Sequence, residues 1–204
     1  MIRRYRRVPL IAGLSFLLLP STPHVYAGGP GDPVAANMAK LEGYVAEWRV
    51  TERHFDARGK EVALVKSTEA IIWILDRHAI QRSYTTITND VVSYAALGTL
   101  TWSEAEKKYH GVWFDTASNA GPTVVKADWN ADERKMVYTL EAVGDDGRAL
   151  RHRVVERFVD GEHRTATTFR LVDDGGVVKV LEVTYERTTP CPSRQMRVID
   201  ELNP

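Results

Sequence analysis

The sequence predicts an all-β protein, an antiparallel up-and-down β-barrel of about ten strands preceded by one short N-terminal helix. Two observations lead to this fold. Runs rich in Val, Thr, Tyr and Trp alternate with short Gly-, Asp- and Asn-containing clusters that are typical of turns. After the first helix no second helical pattern of useful length follows, so the parallel crossovers that such helices provide are not expected. A chain of consecutive hairpins removes its exposed edges by closing.

The first 27 residues have the anatomy of a cleavable signal peptide. Arg3, Arg4, Arg6 and Arg7 form a positive beginning, an apolar stretch follows, and small side chains surround the cleavage position at Ala27. The alternative is a membrane anchor, but the apolar stretch is shorter than the roughly 20 residues that span a bilayer. We therefore expect a secreted or periplasmic protein that begins near Gly28 and has no later membrane span.

The remaining chain is expected to form one domain over residues 28–189, with a C-terminal tail at 190–204. Without the four signal-peptide arginines it carries 23 basic against 27 acidic residues, which argues against a nucleic-acid partner. The only cysteine, Cys191, excludes an internal disulfide. Its thiol is either inert or joins a second chain, so a homodimer stays open.

The helix is predicted at about 33–43. Asp32 is suited to the N-cap and Pro33 to the first helical position. Val34, Met38 and Leu41 follow as one apolar stripe, and Gly43 is suited to the end.

The strands are predicted between about 46 and 187. Their runs lie near 46–55, 61–75, 78–87, 91–102, 107–116, 122–129, 134–143, 148–159, 163–172 and 177–187. Period-two alternation is clear from Lys135 to Glu141, where the even positions are bulky and apolar. Alternation alone leaves open which face of each strand points inward.

Motifs for metal, cofactor or nucleophilic chemistry are absent from the sequence. No two histidines have the spacing of a strand metal site, and a nucleophile elbow, a phosphate loop and a dinucleotide fingerprint are all missing. We expect no metal and no cofactor, with a histidine-ligated haem kept as an alternative.

A barrel of this size has room for one small ligand. Aromatic side chains with a polar tip suit a cavity that is apolar yet orients its ligand, although each could equally fill the core. Charged residues inside strand-like runs could form a polar floor, or face water. The candidate ligand-binding residues are Trp48, Tyr84, Trp102, Tyr109, Trp113, Asp115, Arg153 and Glu182.

From about Met38 to Thr188 the chain resembles DUF1579, an uncharacterised bacterial family with a presumed calycin- or lipocalin-like barrel. The resemblance rests on the segments around Trp48, Leu97-Gly98 and Arg153, and most specifically on Tyr109 to Asp115 and Glu182 to Arg187. Ala46 departs from the pattern, since the family prefers Gly there. The resemblance implies a barrel with a ligand cavity and implies no activity.

The sequence therefore predicts an exported barrel that binds a small, partly apolar ligand. Two alternatives remain. One is an isomerase or lyase on the same scaffold, with Asp115 or Glu182 as general base, since burial can raise a carboxyl pKa into a useful range. The other is an envelope interaction protein whose barrel is fully packed.

Overall fold

A computed structural model describes residues 31–117, 121–144, 147–172 and 175–189 of the chain. The predicted signal peptide, Cys191 and the C-terminal tail lie outside these residues. In the part that is described, no helix is both long and apolar enough to cross a membrane.

The N-terminal helical segment consists of two short helices. Helix α1 spans Pro33–Met38 and continues directly into a 3-10 helix, Ala39–Tyr44. The Asp32 carboxylate caps α1 by accepting a 2.8 Å hydrogen bond from the backbone N–H of Val34. The sequence predicted one helix over 33–43. The 3-10 second half has a packing reason, because the buried Met38, Leu41 and Tyr44 are spaced by the three residues of a 3-10 turn.

Ten antiparallel strands follow and confirm the predicted fold class. They are β1 (Ala46–Phe55), β2 (Glu61–Ile74), β3 (Ala79–Thr88), β4 (Val91–Ser103), β5 (Lys108–Asp115), β6 (Thr123–Asn130), β7 (Lys135–Val143), β8 (Ala149–Phe158), β9 (His163–Leu171) and β10 (Val177–Thr189). Each strand pairs with its neighbours in sequence, and β1 pairs with β10, so the barrel is closed. Closure leaves no strand edge for pairing with another chain.

The inner face of the barrel follows the period-two alternation of the strands. In β1, Trp48, Val50 and Glu52 are buried and point inward, whereas the positions between them are more exposed. Gly98 of β4 lies opposite Trp113 of β5, and a Cβ at Gly98 would come within 2.5 Å of the indole ring. The glycine therefore allows the Trp113 ring to lie flat against the barrel wall.

The two helices close one end of the barrel. The Tyr109 hydroxyl donates a 2.7 Å hydrogen bond to the carbonyl of Asn37, and the Trp48 indole N–H donates one of 2.9 Å to the carbonyl of Tyr44. The Tyr44 and Phe158 rings pack edge to face with centroids 4.6 Å apart. The fully buried Met38, Leu41, Tyr44 and Trp48 belong to this closed half.

An ion pair also fixes the start of α1. His78 Nε2 lies 3.0 Å from the Asp32 carboxylate. Its hydrogen bond to Asp32 raises the pKa of His78, and the same hydrogen bond lowers the pKa of Asp32. The contribution of this pair is complete between about pH 4 and about pH 6.5, the ordinary pKa values of the two groups. It is lost as the pH rises through the raised pKa of His78 or falls through the lowered pKa of Asp32.

Asp32→Asn should therefore remove a pH-dependent part of the stability while keeping the N-cap, because Asn caps helices as well as Asp does. We expect the wild type to melt at a higher temperature than Asp32→Asn at about pH 6, and the difference to shrink at about pH 9. Thermal melts followed by circular dichroism measure both. A difference that stays constant over this range would contradict the role given to the pair.

Candidate ligand-binding site

The barrel encloses a cavity of about 870 Å³. The cavity begins above a charged floor that includes Glu69, Arg82 and Glu156. It reaches the surface at the end opposite the helices, where its lining includes the exposed residues Thr88 and Ser93. The closed half of the barrel is thus packed and the other half is hollow.

The floor is a buried network of two carboxylates and two arginines. Arg82 donates a 2.7 Å hydrogen bond from Nε to Glu69, and Arg164 bridges Glu69 and Glu156. The Tyr138 hydroxyl donates to Glu156 over 2.8 Å. Two positive and two negative charges balance, which is what makes their shared burial tolerable.

Arg164 lies at the centre of this network and is completely buried. Its guanidinium carbon lies 3.8 Å from the ring centroid of Tyr185 and 4.5 Å from that of Trp48. Burial alone would raise the pKa of Glu69, but the charges and hydrogen bonds of Arg82 and Arg164 lower that pKa below its ordinary value. Glu69 is therefore held as a carboxylate.

A third carboxylate, that of Glu52, lies in the cavity wall above the floor. Its Oε1 accepts hydrogen bonds of 2.7 Å from the hydroxyls of Ser67 and Tyr84. The Ser67 hydroxyl also lies 2.7 Å from that of Thr86, so a chain of hydroxyl groups follows this wall. Burial raises the pKa of Tyr84 strongly, and the nearby Tyr185 and Glu52 add to the rise, so Tyr84 remains a donor.

Apolar side chains from several strands form most of the remaining wall. They include Leu100, Val125, Leu140, Val154, Leu181 and Val183. Nearer the surface, Tyr94, Trp113, Asp115 and His152 contribute polar atoms. Burial, with a smaller contribution from Arg170, lowers the pKa of His152, so its imidazole is neutral at neutral pH. The site combines an apolar body with a few fixed polar groups, as small-molecule sites do.

Six of the eight predicted site residues lie on the inner side of the barrel, at two different levels. Tyr84, Trp113 and Asp115 line the cavity together. Trp48, Trp102 and Tyr109 lie beyond the cavity, in the closed half. Trp48 packs on Arg164 as described, and the Trp102 and Tyr109 rings pack on each other with centroids 5.0 Å apart.

Arg153 and Glu182 do not lie in the cavity, contrary to the polar contacts expected of them. Arg153 is exposed and lies over the ring of Phe169, and Glu182 forms a 2.8 Å ion pair with Lys179. In both strands the neighbouring positions, such as Val154 and Val183, are the ones that point inward. Strand parity therefore places the two charges on the outer face.

The charges that do face inward were missed by the sequence analysis. Glu69 shares a strand face with Ile71 and Trp73, and Arg82 shares one with Ile80 and Tyr84. A charged residue in phase with large apolar ones is the signal that could have identified them. Glu52 and Glu156 show the same phase relation in their strands, whereas Arg164 shares its face of β9 with Ala166 and Thr168 and carries no such signal.

None of the residues that the structure describes form a group of three His, Cys, Asp or Glu side chains suited to a metal ion. What the fold and site define is a calycin-like antiparallel barrel with an internal cavity. The chain belongs to the family DUF1579, described as a protein of unknown function, whose model matches residues 35–187.

Comparison with solved structures gives matches at low sequence identity. The S-type phycobiliprotein lyase CPES from Guillardia theta matches with a TM-score of 0.51 at 14% identity, covering 77% of this chain and 94% of that one. A protein of unknown function from the DUF3598 family, from Nostoc punctiforme, matches with a TM-score of 0.24 at 8% identity, covering 74% and 98%. At 14% identity the likeness to the lyase concerns the fold alone. No curated protein matches the chain.

Replacing Arg164 with Met should destabilise the fold strongly, because the carboxylates of Glu69 and Glu156 would lose a shared buried partner. The loss of a partner from a buried ion pair costs about 3–5 kcal/mol in the free energy of unfolding. Arg49→Met is the control, since the exposed pair of Arg49 and Glu186 contributes at most about 1 kcal/mol. Urea denaturation measures both. Equal losses in the two variants would refute the central role of Arg164.

Proposed function

We propose that the protein binds a small, partly apolar molecule inside the barrel. The cavity carries this proposal, because its volume of about 870 Å³ is that of a small-molecule site and such sites measure about 300–1,000 Å³. The apolar wall would bury the body of the ligand. Glu52 and the hydroxyl groups beside it would orient its polar part.

The phycobiliprotein lyase from Guillardia theta supports the proposal as a precedent, because it is a protein of similar fold that works as a lyase. The cavity counts against the alternative of a fully packed barrel. The isomerase or lyase alternative keeps Asp115 as a base that lines the cavity. Its other base, Glu182, lies on the outer face.

A matched pair of substitutions on one strand tests ligand binding. Val125 of β6 lines the cavity, whereas its neighbour Val124 points outward and is 47% exposed. Val125→Trp should fill the lumen and weaken binding of a neutral apolar dye such as Nile red by about tenfold or more, a loss of about 1.4 kcal/mol. Val124→Trp should bind the dye like the wild type.

Leu140→Phe is a milder cavity substitution in case Val125→Trp does not fold, which a thermal melt would reveal. Native mass spectrometry of the freshly purified protein should also show a co-purifying ligand in the wild type. Saturable dye binding that is equal in the inward and outward variants, or no adduct and no dye binding at all, would rule out a ligand-binding cavity.

We propose in addition that the chain is exported and that signal peptidase removes residues 1–27. The positive beginning, the short apolar stretch and the small residues before Gly28 support this. The intact mass of the protein, expressed from its full sequence in a bacterium, should correspond to a chain that begins near Gly28. Ala27→Arg should block the cleavage, and an unprocessed wild-type chain would contradict the proposal.

A further inference from the structure

Three aromatic side chains form one corner of the cavity. Tyr84, Tyr94 and Trp113 come from the neighbouring strands β3, β4 and β5, and all three point inward. The Tyr84 ring centroid lies 6.2 Å from that of Tyr94 and 6.4 Å from that of Trp113, with edge-to-face geometry in both cases. The Trp113 indole N–H donates to the Tyr94 hydroxyl over 3.4 Å. The rings thus hold one another in place.

Glu52 borders this corner and is 9% exposed. The two groups that donate to its Oε1, the hydroxyls of Ser67 and Tyr84, are both neutral. Its other oxygen lies 3.2 Å from Nε2 of His54, a side chain that is 40% exposed. Within the described residues no Lys or Arg nitrogen lies within 4.0 Å of Glu52. This distinguishes Glu52 from the floor carboxylates Glu69 and Glu156, which are both paired with arginines.

The negative potential of the corner extends to the surface end of the cavity. Asp115 of β5 lines the same cavity as Glu52. Burial raises the pKa of Tyr94 to about 12, and the carboxylates of Asp115 and Glu52 add to that rise. The corner therefore combines aromatic rings, which attract cations, with carboxylates in a region of low dielectric.

Within the described residues, neither a lysine nor an arginine neutralises this region, and the basic group beside Glu52 is the imidazole of His54. Of the described lysines and arginines, Arg82 lines the cavity. It is engaged in the floor, 2.7 Å from Glu69 and 3.7 Å from Glu156. An anionic ligand placed beside Glu52 would meet repulsion, whereas a cationic one would supply a permanent positive charge that the His54 imidazole does not provide.

We propose that the corner formed by Glu52, Tyr84, Tyr94 and Trp113 binds a cationic nitrogen of the ligand, an ammonium or amine group on an otherwise apolar molecule. This inference rests on the proposed ligand-binding function. The ammonium group would lie among the aromatic rings beside the Glu52 carboxylate. The apolar remainder would lie against Leu100, Val125 and Leu140.

Three probes with the same alkyl chain and different head groups test this inference. Dodecyltrimethylammonium is cationic, dodecanol is neutral and dodecanoate is anionic. Each is titrated as a competitor of Nile red, the two ionic probes below their micelle concentrations and dodecanol below its solubility limit. The wild type should bind the ammonium probe at least about tenfold more tightly than dodecanoate, in keeping with a paired charge and a desolvated cation–π contact.

Glu52→Gln removes the charge and keeps an oxygen that can accept from Ser67 and Tyr84. The preference for ammonium over dodecanoate should fall by about tenfold, while dodecanol binding stays unchanged. Glu186→Gln is the matched control, because Glu186 lies on the outer face of β10 with a side chain that is 56% exposed. Tyr94→Leu is a second variant that weakens the aromatic part of the corner without touching Glu52.

The outcomes separate the two proposals. Dodecanoate binding as tight as ammonium binding in the wild type, or a full ammonium preference retained in Glu52→Gln, would overturn the cation site. Dodecanol binding in the same experiment would leave the ligand-binding cavity standing. If none of the three probes nor the dye binds, the ligand-binding function fails and the cation site fails with it.

Discussion

The contact of Arg164 with Glu69 and Glu156 is the interaction on which the rest of the structure depends. It joins β9 to β8 and, across the lumen, to β2. Below it, Trp48 and Tyr185 pack on the guanidinium and extend the core toward the helices. Above it, the lumen is hollow. A buried charge must keep its partners, so the network fixes the depth at which packing ends and the cavity begins.

The same network explains how a barrel can be hollow without collapsing. Its members come from β2, β3, β7, β8 and β9, so opposite walls are tied by directional hydrogen bonds rather than by apolar packing alone. Replacing such a cluster with apolar residues can leave stability unchanged in other proteins. Here its position gives it a further role, because it offers a polar surface to whatever occupies the cavity.

The fold was almost entirely predictable, since it follows from local chemistry. Turn clusters such as Asp56 to Gly59 and Asp160-Gly161 punctuate the chain, and the observed strand β1 (Ala46–Phe55) has the predicted bounds. The 3-10 continuation of the helix was not predicted, because α-helical spacing also accommodates Val34, Met38 and Leu41.

The site was predictable only in part, because it depends on strand parity and on contacts distant in sequence. Of the predicted residues, Tyr84, Trp113 and Asp115 line the cavity, while Arg153 and Glu182, whose orientation the sequence left open, lie on the outer face. The pairing of Glu69 with Arg164 joins residues 95 positions apart, and no local pattern encodes it. The phase of Glu52 relative to Trp48 and Val50 did carry the information that this carboxylate faces inward.

The plug formed by α1 and the 3-10 helix has a kinetic consequence. Because Tyr109 and Trp48 anchor it through hydrogen bonds to Asn37 and Tyr44, a ligand of the cavity would enter and leave by the same open end of the barrel. A molecule cannot be pushed through by the next one. Under the proposed function, exchange would therefore require one ligand to leave before the next enters, and an alkyl chain longer than the hollow half would project from the open end.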